Sequence, residues 1–489
     1  MSGARATRML RGLPRFSRVK RLLMLVVLAG LVLLWLTAGV LYQALHEAKA
    51  RASFYAWSNG WLGCGWRKEP LLAYWNSSHI SVTGETSCLL PANVWLLWRA
   101  QEYWSPSEPT HKDDDDKEPG AHNWSAILVR PVVYDDHHYV YRGLIPLTPT
   151  GHAGNTSDWL ATRFSYLWSW DQSRVAVSKL GASLPADLTQ RSMSTPESSF
   201  IHYHGPPPPP PSSSSSAADA SSLAYKDMRI AMVADNQFKR LKYLKVLRQM
   251  ARHEPAFWLH GGDCVQHAGR LIEWDMDFFA PVAAAGLHRI PLLYTRGNHD
   301  DTRDRWSWGA DEGHIYHQPS PSWFAITLGG ARWIVLDSNR DSPEQEAFLR
   351  DELASKAAAA ASFLIVLVHI PPYIEYWDRE GWEEHGERYW GRFVLDKYDG
   401  LFAEHHVDLV ISGHQHNYQR GRRNHTAYTI IGGGGGDLDE ERVTDWHMYE
   451  KTALTHHYAV VTLGRDKLVW NAYDADGASL DTFEIARRQ

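Results

Sequence analysis

The chain has 489 residues, too long for one compact domain at roughly 100 to 200 residues each, and its 44% apolar and 22% charged content excludes wholesale disorder. Met1 to Arg21 holds seven of the 50 basic residues and none of the 56 acidic ones, so the net charge of −6 divides into +7 at the start and −13 over the rest. An acidic body argues against a nucleic-acid-binding protein, because backbone binding draws on counterion release at a positive surface.

Residues 1–21 read as a basic cytoplasmic tail and residues 22–42 as a transmembrane signal anchor. Leu22 to Tyr42 is uncharged over 21 residues, about 31 Å as a helix, the thickness of a bilayer's hydrocarbon core. The basic flank stays cytoplasmic by the positive-inside rule, which makes the chain a single-pass type II membrane protein with its C-terminal body lumenal or extracellular. The length of the run favours an anchor over a cleaved signal peptide, whose apolar region is usually 7 to 15 residues.

Residues 43–204 are rich in Trp and Tyr, with strand-like stretches such as Val94–Trp98 and Ala126–Tyr141 bounded by Pro, Gly and Asn. They predict a small β-rich domain. The sequons at Asn76, Asn123, Asn155 and Asn424 fit glycosylation of a translocated body. Cys64 and Cys88 fall in the same segment and are expected to form a disulfide, whereas Cys264 reads as a small buried residue. Pro206–Pro211 and Ser212–Ser216 cannot form a core, so residues 205–224 read as a linker.

From residue 225 the pattern becomes short apolar runs, each ending in a polar cluster, alternating with helical stretches; this predicts an α/β layered domain over 225–489. Met228–Ala234 ends at Asp235-Asn236-Gln237, Phe257–His260 at Gly261-Gly262-Asp263, and Ile290–Thr295 at Gly297-Asn298-His299-Asp300. Phe363–Val368 ends at His369, and Val407–Ser412 at Gly413-His414-Gln415-His416. All five clusters occupy strand ends, where α/β sheets place their sites. Asp and Asn oxygens with His nitrogens suit Fe, Mn or Zn rather than Ca or a Cys-bound structural Zn. The side chains exceed one tetrahedral shell, so two metal ions are implied, with a small phosphorylated substrate. Gly432–Gly436 is open to two readings, a backbone passing close to the site or a surface loop. Strand signals at His457–Leu463, Leu468–Tyr473 and Thr482–Ile485 are expected to complete the second sheet.

In order and residue type these clusters resemble the calcineurin-like metallophosphoesterase superfamily, and Gly413-His414-Gln415-His416-Asn417-Tyr418-Gln419-Arg420 is most similar to its purple-acid-phosphatase-like branch. The resemblance implies a four-layer α/β sandwich of two mixed β-sheets flanked by helices. It also implies that Asp263 bridges the two metals, that Asp235 and His416 hold the first, and that Asn298, His369 and His414 hold the second. His299 would contact phosphate with Asn298 and protonate the leaving oxygen. Gln266 stands where the branch has its metal-binding Tyr, so a purple colour is not expected.

Gln237 replaces the His of the first motif. Its amide oxygen can still ligate, which leaves the first metal position weaker, selective for a harder ion, or filled only with substrate. Function is therefore read as hydrolysis of phosphomonoesters by in-line attack of a metal-bound hydroxide at a dinuclear site. The alternatives are a phosphodiesterase or nucleotide pyrophosphatase, and a non-catalytic phosphate-binding ectodomain. Arg420, with Arg296, Arg422 and Arg423, supplies candidate cations for the phosphate. The loop Tyr373–Tyr389 is expected to wall the pocket.

Overall fold

The structure is a computed structural model that describes residues 227–301, 322–376 and 391–488 throughout. Before residue 227 it describes 66–90, 93–101, 124–135, 138–147, 161–171, 193–194, 197–203 and scattered positions over 37–56. Chain contacts divide it into Met1–Tyr55 and Ala56–Gln489. The described residues of the first unit are helical. The expected anchor at 22–42 lies almost wholly outside the described residues, and among those described no helix is long and apolar enough to cross a membrane. Cys64, Asn123, Asn155 and the linker 205–224 also lie outside them.

In the second unit the strands run β1 (Trp66–Asn76), β2 (His79–Thr86), β3 (Asn93–Gln101), β4 (Ser125–Val129), β5 (Val132–Asp135) and β6 (His138–Pro146). Then come β7 (Ala161–Asp171), β8 (Met193–Ser194), β9 (Ser198–Tyr203), β10 (Met228–Val233), β11 (Phe257–His260) and β12 (Leu292–Tyr294). A second series comprises β13 (Phe324–Leu328), β14 (Ala331–Val335), β15 (Phe363–Leu367), β16 (Leu409–Ser412), β17 (Tyr418–Arg423) and β18 (Thr426–Ile431). The last four are β19 (Tyr449–Ala453), β20 (His457–Leu463), β21 (Lys467–Asp474) and β22 (Ser479–Ala486).

Two large mixed sheets face each other. The first has ten strands in the order β22-β21-β20-β10-β11-β12-β1-β2-β6-β5, and the second has seven in the order β13-β14-β15-β16-β18-β17-β19. Strand alternation explains the layering, because side chains two apart share a face. Ile230 and Met232 of β10 join Ile365 and Leu367 of β15 in the apolar cluster between the sheets. Ala231 and Val233 point the other way, onto Tyr243, Val246, Leu247 and Met250 of the helix Arg240–Arg252. Those four helical positions follow the i, i+3, i+4, i+7 spacing of a single buried stripe. Behind the second sheet, Leu364, Val366 and Val368 pack on Leu349, Leu353, Tyr398 and Phe402. The result is the expected order of helices, sheet, sheet, helices.

Two expectations are corrected. Residues 43–204 do not form a separate domain: β1 pairs in parallel with β12, extending the first sheet through β2, β6 and β5. The cause is visible in β1, which is buried on both faces, with Leu71 and Ala73 under the helices and Leu72 and Tyr74 between the layers. The remaining early strands form a five-stranded sheet, β4-β3-β7-β8 with β9 on β7, whose Leu96, Trp168 and Phe200 enter the same inter-sheet cluster. The second correction concerns β20–β22. They complete the first sheet, with β20 antiparallel to β10 over Met228–Met232.

Cys88 is disulfide-bonded and Cys264 is free and buried. Asn424 is exposed at the two-residue turn between β17 and β18, with φ 52°. Asn76 is half-buried, and its Oδ1 accepts from the backbone N of Ser78 at 2.9 Å.

Candidate metal centre

β10, β11 and β12 run parallel, as do β15 and β16, so their carboxyl ends deliver Asp235, Asp263, Asn298, His369 and His414 to one edge of the sandwich. The polypeptide bends sharply there. Asp235, Asp263 and His414 all have left-handed backbone, at φ 59°, 55° and 70°. Such conformations cost non-glycine residues of order 1–3 kcal/mol each and concentrate at functional sites.

Asp263, Asn298, His369 and His414 converge tightly. Ligating atoms of Asp263, His369 and His414 lie within 4.8 Å of one another, and all three residues are buried. The Nδ1–H of His369 donates to the Gly261 carbonyl at 2.7 Å. Its Nε2 is thereby turned to Asn298 Oδ1 at 3.1 Å and Asp263 Oδ2 at 3.2 Å. His414 Nδ1 lies 2.9 Å from the same Asn298 oxygen, and the backbone N of His414 donates to both Asp235 oxygens at 3.0 and 2.9 Å. His416 Nδ1–H donates to the Asp437 carbonyl at 2.6 Å, leaving Nε2 to face Asp235 Oδ1 at 3.7 Å. Carbonyls that fix imidazole tautomers in this way are the usual outer support of metal-binding histidines. Gln237 Nε2 donates to Asp263 Oδ2 at 3.1 Å.

The electrostatics fit a cation. Burial pushes the Asp235 carboxyl well above the usual range, and the Asp263 charge adds to that against the pull of His369. Burial also opposes a charge on Asp263, but the imidazoles of His369 and His299 outweigh it and hold that carboxyl below its ordinary range. Burial disfavours a proton on His369; the carboxylates of Asp263 and Asp235 prevail and push its pKa up to about 9. Gln237 Oε1 gives an independent sign: it is buried and has no hydrogen-bond partner. Acceptor oxygens and imidazole nitrogens converging on one another, with an orphaned carbonyl beside them, suit metal ions.

His299 is half-buried at the edge of this cluster. Its backbone N donates to Asp263 Oδ1 at 2.8 Å, and its Nδ1–H donates to the Gln266 carbonyl at 3.0 Å. Asp300 organises the same turn, accepting from Cys264 N at 2.8 Å, Tyr294 Oη at 2.6 Å and Gly297 N at 3.1 Å.

Two of the expected phosphate cations are held in ion pairs. Arg420 sits in β17, where its guanidinium pairs with Asp481 at 2.9 Å and with Glu450. Glu450 lies on β19, which pairs with β17, and Asp481 lies on β22 of the other sheet. Arg296 is buried and paired with Asp337 at 3.5 Å, while Arg422 and Arg423 are exposed. Of the expected pocket loop, Tyr373 to Tyr376 are described, and 377–389 lie outside the described residues. Within it Glu375 is a buried anchor: its carboxylate accepts from Gln419 Nε2 at 2.9 Å and Trp446 N at 2.9 Å, and its backbone N donates to Gln415 Oε1 at 3.1 Å.

Sequence reasoning missed Glu375, and likewise Asp439, whose Oδ2 accepts from His416 N at 2.7 Å. Both carry no motif of their own. Gly432–Gly436 resolves in favour of close approach: these residues are buried, and a Cβ on Gly435 would meet the Asn236 carbonyl at 2.7 Å. One on Gly436 would meet the His416 ring at 2.5 Å.

Comparison with known proteins agrees with this geometry. Residues 228–418 match the calcineurin-like phosphoesterase family. That segment is similar to metallophosphoesterase domains, and the relatives it resembles include purple acid phosphatases. The chain is 26% identical over 274 residues to a probable inactive purple acid phosphatase 24 of Arabidopsis thaliana, covering 46% of this chain and 43% of that protein. It is 25% identical over 272 residues to a nucleotide pyrophosphatase/phosphodiesterase of Hordeum vulgare, covering 47% and 71% respectively. The purple acid phosphatase PPD1 from yellow lupin has the same fold, with a TM-score of 0.60 at 16% identity over 85% of this chain and 74% of that one. The chain spans less than half the length of the Arabidopsis relative.

Proposed function

We propose that the chain is a metal-dependent hydrolase of phosphoric esters, with phosphomonoesters as its expected substrates. The observation that carries this reading is the convergence of Asp263, Asn298, His369 and His414 beside the unpartnered Gln237 oxygen. Two ions of the Fe, Mn or Zn class would be held by Asp235, Gln237 and His416 on one side and by Asn298, His369 and His414 on the other, with Asp263 a ligand common to both. Such ions, when bound, supply positive charge for the phosphoryl oxygens and an activated water.

The protein's own residues contribute orientation and a proton. The carbonyls of Gly261 and Asp437 fix His369 and His416 so that Nε2 faces the carboxylates. His299 donates Nδ1–H to Gln266, which leaves Nε2 as the atom that carries a proton to the departing ester oxygen. Its backbone N holds the Asp263 carboxylate in register.

A specific observation favours a second reading, phosphodiester or pyrophosphate hydrolysis. Arg296 and Arg420, expected to neutralise the extra charge of a monoester, are committed to Asp337 and to Asp481 and Glu450. Turnover of p-nitrophenyl phosphate against bis(p-nitrophenyl) phosphate by the full chain, in Mn, Fe, Zn and Mg, tests both readings. Hydrolysis of at least one ester is expected. Metal binding with neither ester hydrolysed would overturn the enzyme reading in favour of a phosphate-binding ectodomain.

The basic tail and the apolar run over 22–42 support a type II anchor with the catalytic body translocated. Membrane association that survives alkaline carbonate, with an endoglycosidase-sensitive mass, is the expected result. Release by carbonate would count against the anchor.

A further inference from the structure

A cavity of about 360 Å³ lies at the amino ends of β10, β11 and β12, whose carboxyl ends carry Asp235, Asp263 and Asn298. β7 and β9 of the five-stranded sheet supply its other wall. Arg229, on that wall at the start of β10, is six residues from Asp235, roughly 20 Å of extended chain. The cavity is therefore distinct from the candidate metal centre.

Its charge is unevenly paired. The guanidiniums of Arg163, Arg229 and Arg289 line it together with the carboxylates of Asp227 and Glu254. Glu254 pairs with Arg229 at 3.3 Å, and Asp227 is exposed. Arg289 Nε donates to His288 Nε2 at 3.1 Å, but its guanidinium has no carboxylate partner among the described residues. Arg163, although half-buried, has neither a hydrogen-bond nor an ion-pair partner among them. Two guanidiniums outside any ion pair reverse the sign of the acidic body locally, and their forked N–H groups match the oxygens of a phosphate. Two positive charges suit a phosphomonoester, which carries close to two negative charges at neutral pH. The rest of the wall includes buried Phe200, Met228 and Pro291, and the volume is that of a small-molecule site rather than of a bare ion.

We propose that this cavity is a second, non-catalytic site that binds a phosphomonoester carried on an apolar or aromatic body. Arg163 and Arg289 hold the phosphate, and Phe200, Met228 and Pro291 pack against the body. A soluble phosphomonoester and the headgroup of a phosphorylated lipid offer this same chemistry. The proposal stands apart from turnover at the metal centre.

Modification by phenylglyoxal, followed by mass spectrometry of peptides from the full chain in detergent, reads each arginine separately. Phenylphosphonate, an analogue that cannot be hydrolysed, should slow modification of Arg163 and Arg289 by about tenfold at ten times its dissociation constant. The exposed Arg422 should be unaffected. Half-protection should need about tenfold less phenylphosphonate than inorganic phosphate, because the ring covers the apolar wall. Arg163→Ala should weaken protection of Arg289 about tenfold and leave ester turnover unchanged. The labelling of the natural protein decides the matter even if that variant misfolds. Protection by vesicles containing phosphatidic acid, without protection by phenylphosphonate, would support the site with the lipid headgroup as its source. Arg163 and Arg289 left unprotected by all three probes, or Arg422 protected equally, would overturn the proposal.

Discussion

Asp263→Asn is expected to lower turnover of every hydrolysed phosphoester by about a thousandfold or more, roughly 4 kcal/mol of transition-state stabilisation. The substitution is nearly isosteric, so the left-handed turn at φ 55° keeps a residue type that tolerates it. The acceptor at Oδ1 for the His299 backbone can be kept by the amide oxygen. What disappears is the negative charge at Oδ2, the atom that lies 3.2 Å from His369 Nε2 and 3.1 Å from Gln237 Nε2. An amide NH₂ placed there would face another donor at Gln237 and cannot be shared between two cations. Metal content should therefore fall from two ions to one or none, by elemental analysis, while the far-ultraviolet circular dichroism stays unchanged. Retention of more than about a tenth of the activity would show that Asp263 is not shared between the metals, since loss of a bridging ligand costs far more than one order of magnitude.

How much of this was readable in advance follows from which contacts are local. The five strand-end clusters were legible because a buried strand is a short apolar run and its polar residues begin where the sheet stops. Met228–Val233 followed by Asp235 and Leu409–Ser412 followed by His414 are examples. Sheet partnership was not legible. β20 pairs with β10 across more than 200 residues, and β1 docks on β12 through one parallel pair, Ala73 with Leu292. Nothing in the local pattern of either strand distinguishes a neighbour in the same segment from one in another.

The same limit applies to charge. Arg420 lies four residues after His416, and proximity in sequence placed it with the phosphate. Its true partner, Asp481, is 61 residues away on β22. Glu375 follows His369 by six residues, yet it acts through Gln415, Gln419 and Trp446, which the fold alone assembles. Ligands on strand ends are fixed by local geometry, whereas the groups that hold them in place are fixed by topology.

Gly297→Ala is the second large expected effect, and it tests this dependence of the ligands on backbone contact. Gly297 opens the Asn298-His299 turn, and a Cβ there would lie 2.7 Å from Asp263 Cγ and closer still to the Asp263 Oδ1 and backbone N. The turn has little freedom to retreat, because Gly297 N donates to Asp300 Oδ2 at 3.1 Å and its carbonyl accepts from Asn339 Nδ2 at 3.1 Å. Either Asp263 or the Asn298 turn must move by a substantial fraction of an ångström. Overpacking of this kind costs about 1–3 kcal/mol in stability. Displacement of a reacting group by about 1 Å costs about a hundredfold in rate. Gly400→Ala is the matched control: it lies in the helix Asp399–Glu404, nothing approaches its Cβ position within 4 Å, and alanine there should raise stability by up to about 1 kcal/mol. Urea midpoints and turnover of the two variants should thus move in opposite directions for stability, with activity lost in the first and kept in the second. Equal activity in both would mean that the Gly297 turn can shift without carrying Asn298 and Asp263 with it, and that the ligand positions are set by the metals rather than by the fold.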